Sequence, residues 1–129
     1  MENIHALIID DNPTDIDILC NLLHRLGVSY DVLADSRAIH TMLETTPRPT
    51  LIFLDLEMPA VNGYEVLQEI RATHDFNAVP VIAYTANSAE MSNARAAGFH
   101  SFLGKPLRSG EFAGQLERIV NGDSVWEVR

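Results

Sequence analysis

Short apolar runs rich in Val, Ile and Phe recur along the chain at Ile4–Ile9, Val28–Ala34, Thr50–Leu54, Val79–Tyr84 and Phe99–Leu103. Runs of that length without polar alternation predict strands covered on both faces, hence a parallel sheet inside helices. The segments between them carry helical spacing and helix punctuation. Asn12-Pro13 supplies an N-cap and a first-turn proline, and Asp15 sits near the positive end of the dipole. Ile16, Leu19, Cys20, Leu23 and Leu26 then form one stripe, which Gly27 ends. A second helix is predicted from Asp35-Ser36 with Ile39, Met42 and Leu43 inward, and a third carries Val66, Leu67 and Ile70. Asn87-Ser-Ala-Glu90 has the form of a capping box, and Gly98 closes that helix. A fifth aligns Phe112, Leu116, Ile119 and Val120, with Gly110 and Gly114 each weakening it by about 1 kcal/mol.

Five βα units in a row, without a linker, predict an α/β, doubly wound three-layer sandwich. The chain's 129 residues are 47% hydrophobic and 21% charged, which suits one ordinary domain and excludes a disordered or low-complexity chain. No apolar run approaches a membrane span, and Met1-Glu2-Asn3 lacks the order of a secretory signal. The lone Cys20 cannot form an internal disulfide, so a cytoplasmic location is expected, with Cys20 acting as a small buried hydrophobe. A net charge of −9 repels nucleic acid backbones and anionic membranes, so neither is an expected partner. The five histidines, His5, His24, His40, His74 and His100, show no ligand spacing.

In a sheet of this kind the functional crevice lies beyond the carboxyl ends of the strands. Asp10-Asp11 follows the first run, Asp55 the third, Thr85-Ala86 the fourth and Lys105-Pro106 the fifth. Three carboxylates on one rim repel one another and call for a cation or a shifted protonation. Oxygen ligands without His or Cys suit a hard cation such as Mg²⁺, with Mn²⁺ as an alternative. Magnesium and Lys105 together offset the three acids, which readies the pocket for a phosphoryl group. The chemistry that fits is phosphoryl transfer to a carboxylate, with Asp55 as nucleophile, Asp10 and Asp11 on the metal, and Lys105 and Thr85 on phosphoryl oxygens.

The ordered set Asp10-Asp11, Asp55-x-x-Met58-Pro59-x-x-x-Gly63, Thr85-Ala86 and Lys105-Pro106 resembles the receiver domain of two-component response regulators, over Ile4 to Val120. The resemblance implies a flavodoxin-like fold with a five-stranded parallel sheet of order 2-1-3-4-5 and five helices. It implies a phosphorylation-dependent switch, not an enzyme with a separate substrate, in which Asp55 takes phosphate from a sensor histidine kinase or a histidine phosphotransfer protein. The Glu57 backbone carbonyl would join Asp10, Asp11 and Asp55 on the metal, Thr85 and Phe102 would form the switch pair, and Glu57 and Asn87 would tune hydrolysis. Phe102 lacks the hydroxyl of the tyrosine often found at its position.

The domain is expected over 1–122, with 123–129 as a C-terminal extension and no output domain, so the signal leaves through a downstream protein target. The extension, with Val125, Trp126 and Val128 at alternate positions, reads as an edge strand. Trp126 either folds back onto the last helix or anchors a partner. A homodimer would use the extension or the face formed by the fourth helix, fifth strand and fifth helix. Three rival readings are weaker. An aspartyl-nucleophile, Mg-dependent phosphatase needs Asp-x-Asp after the first strand, and a flavin or nucleotide carrier needs a Gly- or Ser/Thr-rich phosphate cradle. A phosphate-independent docking module leaves the complete acid, hydroxyl and ammonium set without a role.

Overall fold

The computed structural model describes residues 3–127; Met1, Glu2, Val128 and Arg129, which enter the leader and extension readings, lie outside the described residues. The elements run β1 (His5–Ile9), α1 (Pro13–Arg25), β2 (Ser29–Leu33), α2 (Ile39–Thr45), β3 (Leu51–Asp55), α3 (Gly63–Ala72), β4 (Val81–Thr85), α4 (Met91–Ala97), β5 (Ser101–Gly104), α5 (Ser109–Val120) and β6 (Trp126–Glu127). The strands pair in parallel in the order β2-β1-β3-β4-β5-β6. The predicted order of the first five strands is therefore observed, and a sixth extends the sheet beyond β5.

Apolar side chains alternate between two cores. Leu7, Ile9, Ile52 and Leu54 face α2, α3 and α4, where they meet Ile39, Met42, Val66, Leu67, Ile70 and Ala94. Ala6, Ile8, Phe53, Ile82 and Tyr84 face α1 and α5, against Leu19, Leu23, Phe112, Leu116 and Ile119. Each of the Leu, Ile, Val, Met and Phe side chains removed from water stabilises the fold by about 1.5–3 kcal/mol before entropy is counted. β3 and β4 are buried throughout, as a strand with neighbours on both edges and helices on both faces must be. β2 corrects the expectation of full cover: it is an edge strand in which Val32 is exposed and only Tyr30 and Leu33 are half-buried.

Local signals behave as their chemistry dictates, with three adjustments. Asn12 caps α1 by accepting from the Thr14 and Asp15 amides, and Gly98 ends α4 in the left-handed region at φ 100°. The second helix enters through a 3-10 turn over Ser36–Ala38 rather than starting at Asp35. Ahead of α4, Asn87 caps a 3-10 turn over Ser88–Glu90, but the capping box does not close. The Asn87 amide is taken by Thr85 Oγ1 at 3.2 Å, so Glu90 bonds Tyr64 and Asn93 instead. Cys20 is half-buried rather than buried, although its place on the α1 stripe holds.

The extension folds onto the sheet edge. The Phe102 amide donates to the Val125 carbonyl at 2.7 Å and the Val125 amide to Ser101 Oγ at 3.0 Å, so β6 continues the ladder beside β5. Val125 enters the α1–α5 core, while Trp126 packs on the opposite core with the Arg95 guanidinium 4.4 Å above its ring. Trp126 thus turns toward α4, not toward the last helix. Glu127 secures the other side through Arg118 and Gln115 of α5. Replacing the half-buried Trp126 by alanine is expected to cost about 1–2 kcal/mol through lost apolar burial and cation–π contact. Urea unfolding checks this: the midpoint falls with the slope retained, and an unmoved midpoint contradicts the packing role.

Candidate functional site

The winding direction reverses between β1 and β3, and the carboxyl ends of β1, β3, β4 and β5 meet there. Asp10 follows β1, Asp55 ends β3, Thr85 ends β4, and Lys105 follows β5. One oxygen from each of Asp10, Asp11 and Asp55 lies within 4.8 Å of the others, the one such acid group found among the described residues. A cleft of about 470 Å³ opens over them, lined by Asp11, Asp15, Asp55, Glu57, Ala86 and Lys105 among others.

Asp10 and Asp55 are held by backbone amides and, for Asp10, by a tyrosine. Asp10 is fully buried; its Oδ1 accepts the Asn12 amide at 3.0 Å and its Oδ2 accepts the Tyr84 hydroxyl at 2.5 Å. Asp55 Oδ1 accepts the Glu57 amide at 3.0 Å. Lys105 Nζ lies 3.4 Å from Asp55 Oδ1, 3.5 Å from Asp10 Oδ2 and 2.8 Å from Asp15 Oδ2, and 4.6 Å from the centre of the Tyr84 ring. Burial pushes the Asp55 carboxyl up to about 6, against the pull of the Glu57 amide and Lys105; the Asp10 charge adds to the rise. Burial and the Asp10 carboxylate raise the Tyr84 phenol, which stays a hydrogen-bond donor. Burial alone would lower Lys105, but the carboxylates of Asp15, Asp55 and Asp10 outweigh it and keep the ammonium charged.

This donor set fits a hard divalent cation. It is all oxygen, carries more negative charge than Lys105 offsets, and includes a carboxyl whose proton a cation can replace.

The backbone explains the Met58-Pro59-x-x-x-Gly63 motif. A Cβ on Gly63 would come within 3.0 Å of the Asp55 carbonyl oxygen and 3.1 Å of Leu56 Cα, so only glycine lets α3 start against the end of β3. The spacing therefore fixes where Asp55 stands.

The remaining predicted residues divide. Thr85 is fully buried, and its hydroxyl donates a short hydrogen bond to Glu57 Oε1. Glu57 is exposed at the cleft, and its backbone bridges to Asn62. The Asn87 side chain is spent on capping Ala89, outside the residues lining the cleft. Phe102 is fully buried in the core on the α2–α3–α4 side, two strands from Asp55 and level with Trp126. Two residues of the site were not predicted to belong to it. Tyr84 faces away from Thr85 along β4 yet reaches Asp10. Asp15 lies in the first turn of α1, just past Asp10-Asp11 and the Asn12 cap, a nearness in sequence that could have placed it on the same rim.

Fold and site together define the class: the chain belongs to the response regulator receiver domain family, whose model matches residues 6–117. It is a receiver domain of the two-component and phosphorelay type, in keeping with a signalling switch. It is 32% identical over 123 residues to the peroxide stress-activated histidine kinase mak1 of Schizosaccharomyces pombe, covering 90% of this chain but only 8% of that protein. Against chemotaxis protein CheY1 of Helicobacter pylori it is 29% identical over 118 residues, covering 88% of this chain and 94% of that protein. Among solved structures, the receiver domain of sensor histidine kinase PA1611 from Pseudomonas aeruginosa superposes with a TM-score of 0.80 at 29% identity, covering 92% of this chain and 98% of that one. That crystal structure has a magnesium ion coordinated in its active site cleft.

Among the described residues, no helix is long and apolar enough to cross a membrane.

Proposed function

We propose that Asp55 accepts a phosphoryl group from a phosphohistidine on a histidine kinase or a histidine phosphotransfer protein, and that the acyl phosphate alters contacts with a downstream protein. The observation that carries this reading is the gathering of Asp10, Asp11 and Asp55 within 4.8 Å, with the Lys105 ammonium 3.4 Å from Asp55. Asp10, Asp11, Asp55 and the Glu57 carbonyl would hold Mg²⁺, which when bound neutralises the acids and draws phosphoryl oxygens toward them. An Asp55 oxygen forms the new O–P bond while the P–N bond to the donor histidine breaks. The electron pair of that bond stays on the imidazole nitrogen, which takes a proton from solvent. Lys105 pairs with one phosphoryl oxygen and Thr85 donates to another.

The resting bond of Thr85 to Glu57 gives the switch its starting position. A phosphoryl oxygen competes with the Glu57 carboxylate for that hydroxyl. Once Thr85 turns inward, its contact with the Asn87 amide loosens and the turn ahead of α4 can shift. Phe102, without a hydroxyl, contributes only packing, at the face that also carries β6. The relatives named as histidine kinases support a phosphohistidine donor, and the magnesium of the PA1611 receiver supports the cation.

The test is transfer from autophosphorylated histidine kinases and phosphotransfer proteins, followed by the label. Magnesium-dependent movement onto this chain, abolished by chelation, is expected. Failure with every such donor and with acetyl phosphate overturns the proposal.

A further inference from the structure

Lys105 is held most closely by an acid that does not belong to the metal-binding group. Its Nζ is 2.8 Å from Asp15 Oδ2, against 3.4 Å from Asp55 and 3.5 Å from Asp10. Asp15 is fixed in the first turn of α1, where its amide donates to Asn12 Oδ1 at 3.1 Å, and it is absent from the group formed by Asp10, Asp11 and Asp55. We infer that Asp15 is a positioning residue that retains Lys105 on the α1 side of the cleft and competes with the phosphoryl group on Asp55 for the ammonium.

Two physical effects act in the same direction. A charge-assisted bond of ordinary length between Lys105 and Asp15 must be exchanged before Lys105 can pair fully with a phosphoryl oxygen. With Asp15 and Glu57 counted, five carboxylates surround one ammonium at the cleft, so a divalent cation still leaves two negative charges toward the incoming phosphoryl anion, and Asp15 supplies one of them. Asp15 therefore slows phosphorylation, while Lys105 remains charged and sheltered in the resting protein.

This inference rests on Asp55 being the acceptor, and the test separates the two. Acetyl phosphate labelling at saturating Mg²⁺ is compared for the wild type and Asp15→Asn, which keeps the shape and removes the charge. An increase of about two- to fivefold is expected, the range for a partly exposed ion pair, together with a lower half-saturating donor concentration. Binding of beryllofluoride, a phosphoryl stand-in, followed by fluorine NMR, should tighten by a similar factor. The increase should shrink when Asp15→Asn is combined with Lys105→Met, because the part that Asp15 exerts through Lys105 is lost and only its bare charge effect remains. An equal increase in the Lys105→Met background, or no increase with Lys105 present, overturns the inference. Thermal unfolding establishes that the variants are folded, and Asp15→Ser serves in place of any that is not. No labelling of the wild type removes the Asp55 reading and this inference together; a labelled wild type with an unchanged Asp15→Asn removes this inference alone.

Discussion

Asp55→Asn is expected to lose phosphate incorporation down to the detection limit while becoming more stable than the wild type in the absence of metal. The loss follows from removing the nucleophilic oxygen, for which neither Asp10 nor Asp11 substitutes. Asp10 is fully buried and bound to Tyr84 and the Asn12 amide. The gain in stability follows from the environment of the carboxyl. Asp55 is almost fully buried, and its carboxyl is raised from 3.8 to about 6 in the folded protein, first by burial. The folded state thus binds this proton more tightly than the unfolded chain, so stability falls as pH rises from 3.8 to about 6 and is level beyond it. At neutral pH the penalty is on the order of 1–3 kcal/mol, and asparagine removes it. Thermal unfolding from pH 4 to 8 with a chelator present checks this. The difference between variant and wild type should grow from pH 4 to about 6 and stay level from there to pH 8; a variant less stable than the wild type at pH 7 contradicts it.

Lys105→Met carries the second large effect, with the opposite sign. The lysine side chain is 12% exposed and faces Asp10 and Asp55, whose side chains are 0% and 3% exposed. Removing one partner of a buried ionic group leaves charge without compensation and costs about 3–5 kcal/mol. Here the range should be nearer 2–4 kcal/mol, since the Asp55 carboxyl, already raised by burial, can take up a proton. The loss should shrink as pH falls and Asp55 is protonated, and Mg²⁺ should recover part of it by supplying positive charge. For Lys105 itself the sign is fixed as well. Its folded value is raised above 10.5, so its contribution is complete below that pH and disappears only as pH rises past the folded value. Urea unfolding of both proteins at pH 5 and 7.5, with and without Mg²⁺, measures these effects; a Lys105→Met protein as stable as the wild type in chelator contradicts them.

The parts of this fold that were legible in the sequence are those encoded by long local patterns. β3 and β4 read as apolar runs because both faces are covered, and Asp55, Thr85 and Lys105 were visible because each terminates such a run. Short or mixed patterns carried less. β6 spans only Trp126–Glu127, and its alternation suggested an edge strand without saying which edge or which helix the tryptophan would meet. β2 read as covered because its apolar content hides its place at the sheet margin. Pairings across the molecule were not legible. Lys105 with Asp15, Tyr84 with Asp10, and Thr85 with Glu57 join residues 90, 74 and 28 positions apart, and depend on side-chain reach after the sheet has formed. The unclosed capping box has a local cause: the Asn87 amide donates to Thr85 Oγ1, only two residues back, and Glu90 pairs elsewhere.

The central claim is that Asp55 becomes a magnesium-dependent acyl phosphate. Its most direct test is peptide mass mapping after transfer from a phosphorylated histidine protein. The account predicts a single phosphoryl group on the peptide containing Asp55, released by hydroxylamine and absent when a chelator is added before the donor. A phosphoryl group on any other residue, or one that forms equally well without a divalent cation, would contradict it.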